Sequence, residues 1–174
     1  MATMILLPNG SNNESADWVI VGAASFEDAL DSDDGSTSYV KCDDVNESFQ
    51  IELANPSVAE GDIASIESVR FLSSGKSAHR TNPARVEIGF VTPSGNSAEV
   101  TAYDAHRTNY ETINGTARTT YDGSSAAWTY ARLEGMQMIC TKVQTIDVHL
   151  SYLALEVTYT EAAADNSVFF GCNF

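Results

Sequence analysis

Oxygen-rich side chains are concentrated in one short stretch of the chain. Residues 28–35 read Asp-Ala-Leu-Asp-Ser-Asp-Asp-Gly, and such clusters attract Ca²⁺, a hard cation that prefers oxygen ligands. The EF-hand pattern does not fit, because Gly35 comes one position too early when counted from Asp31 and no Glu ends the loop. Asp31, Asp33 and Asp34 are therefore the candidate calcium ligands. The alternatives are a solvated acidic loop, or one whose carboxylates accept backbone amides and fix a turn.

Histidine and serine lack any arrangement that is typical of catalysis. The three histidines, His79, His106 and His149, do not have the H-E-x-x-H or H-x-H spacing that holds zinc, and His149 is predicted to face outward. The chain has no G-x-S-x-G motif and no glycine-rich phosphate loop followed by Lys. A catalytic Ser–His–Asp triad or carboxylate pair that is assembled from remote positions remains an alternative, because no local sequence motif would mark it. We predict a protein that is not an enzyme and holds no cofactor.

Aromatic side chains offer a different kind of site. Two Trp and seven Tyr residues could form a carbohydrate-binding platform, although aromatics that alternate within strands more often belong to a core. The tyrosines predicted to lie in the core are Tyr39, Tyr152 and Tyr159. The tyrosines predicted to lie near loops, where they are available to a partner, are Tyr103, Tyr110 and Tyr121.

Both ends of the chain carry apolar residues. Met4 and Leu6 stand near the start, and the tail after residue 160 contains Phe169, Phe170 and Phe174. Apolar terminal segments fray unless a contact holds them, either on their own domain or on a neighbouring subunit. We favour the neighbouring subunit, so these five residues, with Tyr103 and Tyr110, are the candidate partner contacts. The predicted organisation is an N-terminal arm (1–16), a β-sandwich domain (17–160) and a C-terminal tail (161–174).

Charge is unevenly distributed along the 174 residues, whose formal net charge is −15. Up to Glu67 there are 14 acidic residues and one basic residue, Lys41, whereas 10 acidic and 8 basic residues follow from Ser68 onward. The excess therefore predicts one acidic face, which repels nucleic acid and anionic membranes and favours a basic protein surface. The alternative is that the charge only keeps the domain soluble.

The remaining composition indicates a globular protein outside the secretory pathway. No apolar run is long enough for a spanning helix, and the N-terminus lacks the features of a secretory signal. Three widely spaced cysteines, Cys42, Cys140 and Cys172, are then predicted to be free thiols, with one disulfide and a leftover thiol as the alternative.

Short runs rich in Val, Ile, Thr, Tyr and Phe predict strands, with turn residues between them. Their predicted bounds are Thr3–Leu7, Asp17–Ala23, Thr37–Cys42, Ser48–Leu53, Ile63–Ser73, Arg85–Thr92, Ser97–Ala102, Tyr110–Ile113, Met136–Thr141 and Gln144–Thr160. Short helical turns are predicted over Ser25–Leu30, which has a Ser cap, and over Ser125–Leu133.

Two patterns define how the strands are arranged. Residues 91–97, with Pro93 and Gly95, are typical of a hairpin turn, so the strands on either side are predicted to be antiparallel. In the last strand the apolar positions change from even to odd numbers between Tyr152 and Leu153, which indicates a β-bulge or, alternatively, a strand buried on both faces. The predicted fold is all-β: an antiparallel, jelly-roll-like β-sandwich.

The order of these landmarks resembles a group of bacteriophage virion proteins with β-sandwich domains, found among head decoration, neck and minor tail or fibre components. The resemblance runs over about residues 17–160. The residues that carry it are Trp18, the run Asp28 to Val40, the strand pattern Ile66-x-x-Val69-x-Phe71, the patch Trp128 to Glu134, and the long apolar strand from Val148 to Tyr159.

The resemblance implies a non-enzymatic structural protein of a virion, with Trp128 covering one end of the sandwich. Such a protein would decorate or cement a capsid, or join the neck or tail, and would be assembled in the host cytoplasm. Its expected partners are other virion proteins and further copies of itself, a trimer being our guess. The alternative is a receptor- or carbohydrate-binding module of a tail or fibre, and a third hypothesis is a glycan-processing or esterase enzyme.

Overall fold

The structure is a computed structural model that describes residues 1–14, 16–91, 97–104, 109–121 and 125–163. These residues form eleven β-strands. The strands are β1 (Ala2–Leu6), β2 (Pro8–Glu14), β3 (Trp18–Val21), β4 (Tyr39–Cys42), β5 (Ser48–Leu53), β6 (Ile63–Ser77), β7 (Ala84–Val91), β8 (Ser97–Tyr103), β9 (Glu111–Asn114), β10 (Gln137–Lys142) and β11 (Val148–Glu161). Helical structure in the described residues consists of α1 (Phe26–Leu30), α2 (Tyr130–Leu133) and a 3-10 turn at Glu60–Asp62. No helix in these residues is long and apolar enough to cross a membrane.

The strands form two sheets, and within each sheet every pair of neighbouring strands is antiparallel. Sheet A has the order β3-β4-β11-β6-β9, with β1 paired to β11 as well, and sheet B has the order β2-β5-β10-β7-β8. The core lies between the sheets, as alternating side chains of both pack face to face. The predicted fold, an antiparallel jelly-roll-like β-sandwich with short helical turns, is confirmed.

The alternation in β7 shows how the sequence determines the inner face. Val86, Ile88 and Phe90 are buried, as their spacing predicts. The antiparallel pairing of β7 with β8 is also confirmed, whereas the turn residues Pro93 and Gly95 lie outside the described residues.

The register of β11 contains the predicted bulge. Its pairing with β6 shifts between Leu150 and Tyr152, slightly earlier than the sequence indicates. The β11 residues of the core cluster have even numbers before the shift and odd numbers after it, so the strand keeps one apolar side inward over its whole length; Ala154 is also buried but lies outside this cluster. Tyr152 consequently lies on the outer face, half-buried, and its assignment to the core is wrong.

Residues 1–14 belong to both sheets, which differs from the separate arm predicted for residues 1–16. β1 pairs with β11 and β2 pairs with β5. Met4 and Leu6 are buried against their own domain, because they alternate with more exposed neighbours on a paired strand. They are therefore unavailable as partner contacts. The sandwich ends at Glu161, and Phe169, Phe170 and Phe174 of the predicted tail lie outside the described residues.

Helix α1 closes the edge of the sandwich between the two sheets. Ser25 caps it, accepting a hydrogen bond from the backbone N–H of Asp28 through Oγ at 3.2 Å. Phe26 reaches the core, where its ring lies 5.3 Å from that of Phe49 in sheet B. Cys42 and Cys140 are free, as predicted, and both are buried, whereas Cys172 lies outside the described residues.

Candidate functional site

A row of side chains crosses the outer surface of sheet A near one end of β11. His149 pairs directly with Lys41 of β4 on one side and with Lys76 of β6 on the other. Tyr39, two residues before Lys41, and Tyr110, just before β9, complete the group. We call these five residues the tyrosine face.

Strand alternation explains why these side chains point away from the core. Their neighbours along β4 and β11 are buried between the sheets, so the intervening residues must face outward. The buried neighbours are Val40, Cys42, Val148 and Leu150. Tyr39 is half-buried on this outer surface. Its assignment to the core is wrong, because the next residue, Val40, is the one that faces the core. The outward orientation predicted for His149 is confirmed.

Aromatic contacts hold the tyrosine face together. The rings of Tyr39 and His149 are stacked, with centroids 4.6 Å apart and planes 11° from parallel. The Tyr110 ring lies 6.4 Å from that of Tyr39 and is tilted by 55°. The ammonium group of Lys76 lies 4.8 Å from the centre of the Tyr110 ring, a cation–π geometry. Each aromatic side chain is therefore fixed by a neighbour.

Burial controls the protonation of the tyrosine face. Partial burial, together with the positive charges of Lys76 and Lys41, lowers the pKa of His149 to about 4. Burial also raises the pKa of Tyr110, helped by the nearby Tyr39 and Asp34. At neutral pH the imidazole is uncharged and the phenol keeps its proton.

Three buried polar atoms on this side of sheet A have no hydrogen-bond partner among the described residues. They are the hydroxyl oxygens of Ser74 and Tyr110 and the Nδ1 atom of His149. Ser74 faces the same way as Lys76, two residues further along β6. A fourth such atom, Oε2 of Glu27, belongs to α1 instead. Buried polar groups normally find partners, so these three solvent-shielded atoms favour bound water beneath this surface.

The acidic loop after α1 adjoins the tyrosine face. The carboxylate of Asp34 accepts hydrogen bonds from the backbone N–H of Ser38 at 3.3 Å and from its hydroxyl at 2.9 and 3.1 Å. Asp33 accepts bonds from Thr112 of β9 at 3.2 Å and from Ser151 of β11 at 3.4 Å. These carboxylates fix a turn and attach the loop to the sheet, which is one of the alternatives that the sequence left open.

The calcium hypothesis for Asp31, Asp33 and Asp34 gains no support from this arrangement. Within the described ranges, no three His, Cys, Asp or Glu side chains come close enough together to hold a metal ion. The oxygen atoms of Asp33 and Asp34 are directed at different hydroxyl and amide groups instead.

Two of the loop tyrosines have surroundings that the sequence did not predict. Tyr103 is fully buried, and its hydroxyl donates a hydrogen bond of 2.6 Å to Ser73. Its assignment as a partner contact is wrong, because β8 extends through it and turns the ring inward. Tyr121 is half-buried and packs edge-on against Trp128 at 5.1 Å, while Trp128 covers one end of the core.

Comparisons with known proteins report carbohydrate-binding modules among the similar solved structures. The CBM36-1 domain of a multidomain xylanase from the hindgut metagenome of Trinervitermes trinervoides is 12% identical, with a TM-score of 0.49, and the match covers 94% of this chain and 99% of that one. A family 35 carbohydrate binding module from an environmental isolate is 15% identical, with a TM-score of 0.48, and the match covers 91% of this chain and 98% of that one.

A phage protein is also found, with a much weaker similarity. The tailspike protein 4 enzymatically active domain of bacteriophage CBA120 is 11% identical, with a TM-score of 0.32 and coverage of 92% of this chain and 19% of that one. It does not confirm the virion resemblance. No protein-family model and no curated protein sequence match the chain. Similarity at this level carries no argument about function, which therefore rests on the site itself.

A concave surface lies at one end of the sandwich. An open cleft of about 520 Å³ is formed by the loops before β5, before β7 and before β11. Its lining is Val45, Asn82, Pro83, Arg85 and residues 143–146. None of these is aromatic, so the cleft lacks the flat apolar surface that the tyrosine face provides.

Sequence reasoning proposed Tyr110 as a contact residue, which stays a prediction, but did not place Tyr39, Lys41 or Lys76 on this surface. A signal was present, since Tyr39 and Lys41 alternate with the apolar Val40 and Cys42 and must therefore share one face. Nothing in the sequence indicated that this face would meet His149, which is more than 100 residues away along the chain.

Proposed function

We propose that this chain is a non-catalytic glycan-binding module that holds its ligand on the tyrosine face. The observation that carries the proposal is the pair of tyrosine rings beside a neutral imidazole, with the side chains of Lys41 and Lys76 on the same face. Sugars present apolar C–H surfaces that pack on aromatic rings, and hydroxyl groups that both donate and accept hydrogen bonds. The tyrosine face offers both kinds of contact.

The rigidity of the face also favours binding. Tyr39 and His149 stand on paired strands, and their side chains are held by stacking. Ordering them for a ligand therefore costs little conformational entropy. Because the rings of Tyr39 and Tyr110 are tilted by 55°, they present two apolar surfaces that suit adjoining sugar units better than one flat ligand.

A glycan array followed by calorimetry tests the proposal. The unmodified protein is expected to bind a defined set of oligosaccharides. Tyr39→Ala and Tyr110→Ala should each weaken that binding at least about tenfold, or ~1.4 kcal/mol. Tyr130→Ala is the matched control, since Tyr130 is a half-buried tyrosine of α2, away from this face.

Two results would contradict the proposal. One is an array without a reproducible ligand. The other is an affinity that stays unchanged in both tyrosine variants while circular dichroism shows that they are folded.

A second candidate function, a structural subunit of a phage particle, is favoured by the edge of sheet B. Strand β8 is the last strand on its side, and Val100 on it is 59% exposed. An open strand edge with an exposed apolar residue can accept a strand from a neighbouring subunit. Such a subunit should co-purify with particles in fixed stoichiometry, and Val100→Lys should release it. Absence of the protein from purified particles would exclude this function.

A further inference from the structure

Two lysines on the tyrosine face stand out in a strongly acidic protein. Lys41 is the only basic residue among the first 67, and its pairing with His149 puts it on the same surface as Lys76. The two lysines lie on strands to either side of β11, so their backbones are separated by two strand spacings, roughly 9.6 Å. Their flexible side chains can both reach a group bound above His149.

Neither ammonium group has a carboxylate partner within the part of the chain that the structure describes. The ion pairs recorded there join Arg70 to Glu156 at 2.7 Å and Arg118 to Glu99 at 3.5 Å. Lys76 contacts the ring of Tyr110 instead. In a chain with 24 acidic and 9 basic residues, two neighbouring lysines without a carboxylate partner among the described residues are an unusual arrangement.

We propose that the glycan bound on the tyrosine face carries an anionic group, which Lys41 and Lys76 hold between them above His149. The inference rests on the proposed glycan-binding function and defines the class of its ligand. A carboxylate, a sulfate ester or a phosphate ester would provide the required charge and acceptor oxygens. The saccharide ring beside it would pack on Tyr39 or Tyr110.

The surrounding charges define where the anion lies. Asp34 is near Tyr110, and Asp147, two residues before His149, acts on the imidazole more weakly than Lys76 and Lys41 do, so the sides towards these two carboxylates are less favourable for a negative group. The carboxylate of Asp34 is already bound to Ser38. The favourable position is therefore central, over the imidazole, where both lysines contribute.

The net charge of −15 does not prevent such binding. At physiological ionic strength, charges more than about 8 Å apart in solvent are largely screened, so the local lysines outweigh the distant carboxylates. The same screening acts on the lysine contacts themselves. Preference for an anionic ligand should accordingly decrease as salt is added.

The decisive comparison uses ligands of the same skeleton. Oligogalacturonate and its methyl ester differ only in the charge of the carboxyl groups, and a sulfated galactan with its desulfated form provides a second pair. Calorimetry with the unmodified protein should show at least about tenfold tighter binding of one charged form than of its neutral partner, a difference of ~1.4 kcal/mol. The ligand pair with the larger difference in affinity shows whether the site prefers a carboxylate or a sulfate ester.

Lysine variants then locate the effect. Lys41→Gln and Lys76→Gln should each reduce the preference, and the double variant should bind charged and neutral forms equally. Arg85→Gln is the matched control, since it removes one exposed positive charge from β7 in sheet B. It should leave the preference intact.

The outcomes separate this inference from the proposed function. Equal binding of charged and neutral forms by the unmodified protein would overturn the inference and leave glycan binding in place. A preference that survives in the folded double variant would also overturn it. Binding of neither form, nor of any glycan on the array, would overturn the proposed function and the inference together.

Discussion

Tyr103 and Tyr110 lie close together in the chain, yet their hydroxyl groups have opposite surroundings. Tyr103 donates a 2.6 Å hydrogen bond to Ser73 inside the core, whereas the Tyr110 hydroxyl is buried without a partner among the described residues. A buried hydrogen bond contributes to stability only when both partners are present. The same substitution should therefore have different effects at the two positions.

We expect Tyr103→Phe to lower the free energy of unfolding by about 1–2 kcal/mol, because it removes the bond to Ser73 from the core. Tyr110→Phe should change it by less than about 0.5 kcal/mol, because no such bond is lost. Urea unfolding of both variants measures the difference. Equal losses would contradict the hydrogen-bond assignment.

His149 makes the stability of the fold depend on pH. Its pKa is lowered to about 4 in the folded protein, mainly by burial and also by Lys76 and Lys41, whereas an unfolded histidine titrates near about 6.5. As the pH falls, the unfolded chain therefore binds the proton first. The stabilisation from the neutral ring is present above about pH 6.5 and is lost progressively towards pH 4.

The measurement for this effect compares unmodified protein with His149→Gln between pH 7 and pH 5. The free energy of unfolding should decrease less steeply with acidification in the variant, which has no imidazole to protonate. Proton NMR of the ring should show it still neutral at pH 5. Identical slopes, or a ring that titrates near pH 6.5, would contradict the lowered pKa.

At the scale of the elements, the contact between β6 and β11 determines the geometry of the tyrosine face. Gly75 pairs with Leu150 directly before the bulge and separates Ser74 from Lys76. A Cβ atom at this position would lie 2.8 Å from the carbonyl oxygen of His149 and 2.9 Å from the Tyr103 ring. The close approach of these strands thus requires a residue without a side chain.

Gly75→Ala should destabilise the fold by about 1–3 kcal/mol, because the new methyl group must displace backbone as well as side chains. The matched control is Gly61→Ala, where a Cβ atom would have no neighbour within 4 Å. Thermal unfolding of both variants provides the comparison. A loss in Gly61→Ala as large as in Gly75→Ala would show that packing is not the cause.

At the scale of the molecule, the acidic part of the sequence becomes one side of the sandwich. β1, β3 and β4 lie on one edge of β11 in sheet A, and β2 and β5 lie on the corresponding side of β10 in sheet B. The segment up to Leu53, which contains β1 to β5 and α1, thus places 11 acidic residues on one lateral half, most of them in its loops and in α1. Whether a basic surface binds there stays a prediction.

Repulsion among the carboxylates of this acidic half should make the thermal stability of the protein depend on salt concentration. The melting temperature should rise by a few degrees between about 10 mM and about 200 mM NaCl, because screening reduces repulsion among the carboxylates. Asp43→Asn with Asp44→Asn, two exposed loop positions, should reduce the rise. A melting temperature that falls as salt is added would contradict the argument.

The sequence by itself determined the fold class and most strand positions. The period-two alternation of apolar residues in β7 and the change of parity in β11 are local consequences of burying one face, so they are readable without any partner strand. The Ser cap of α1 is local in the same sense. β2 was missed, because its Pro, Gly and Asn residues indicate a turn and only the pairing with β5 makes it a strand.

Only the tertiary structure decided which side chains share a surface. Tyr39, Lys76 and His149 come from three strands separated by long stretches of chain, and their meeting depends on sheet order and register. Strand order and register arise from the packing of the whole core, which no local pattern encodes. The sequence therefore indicated that a β-sandwich carries aromatic residues, while the fold brought two tyrosines, a neutral histidine and two lysines to one face.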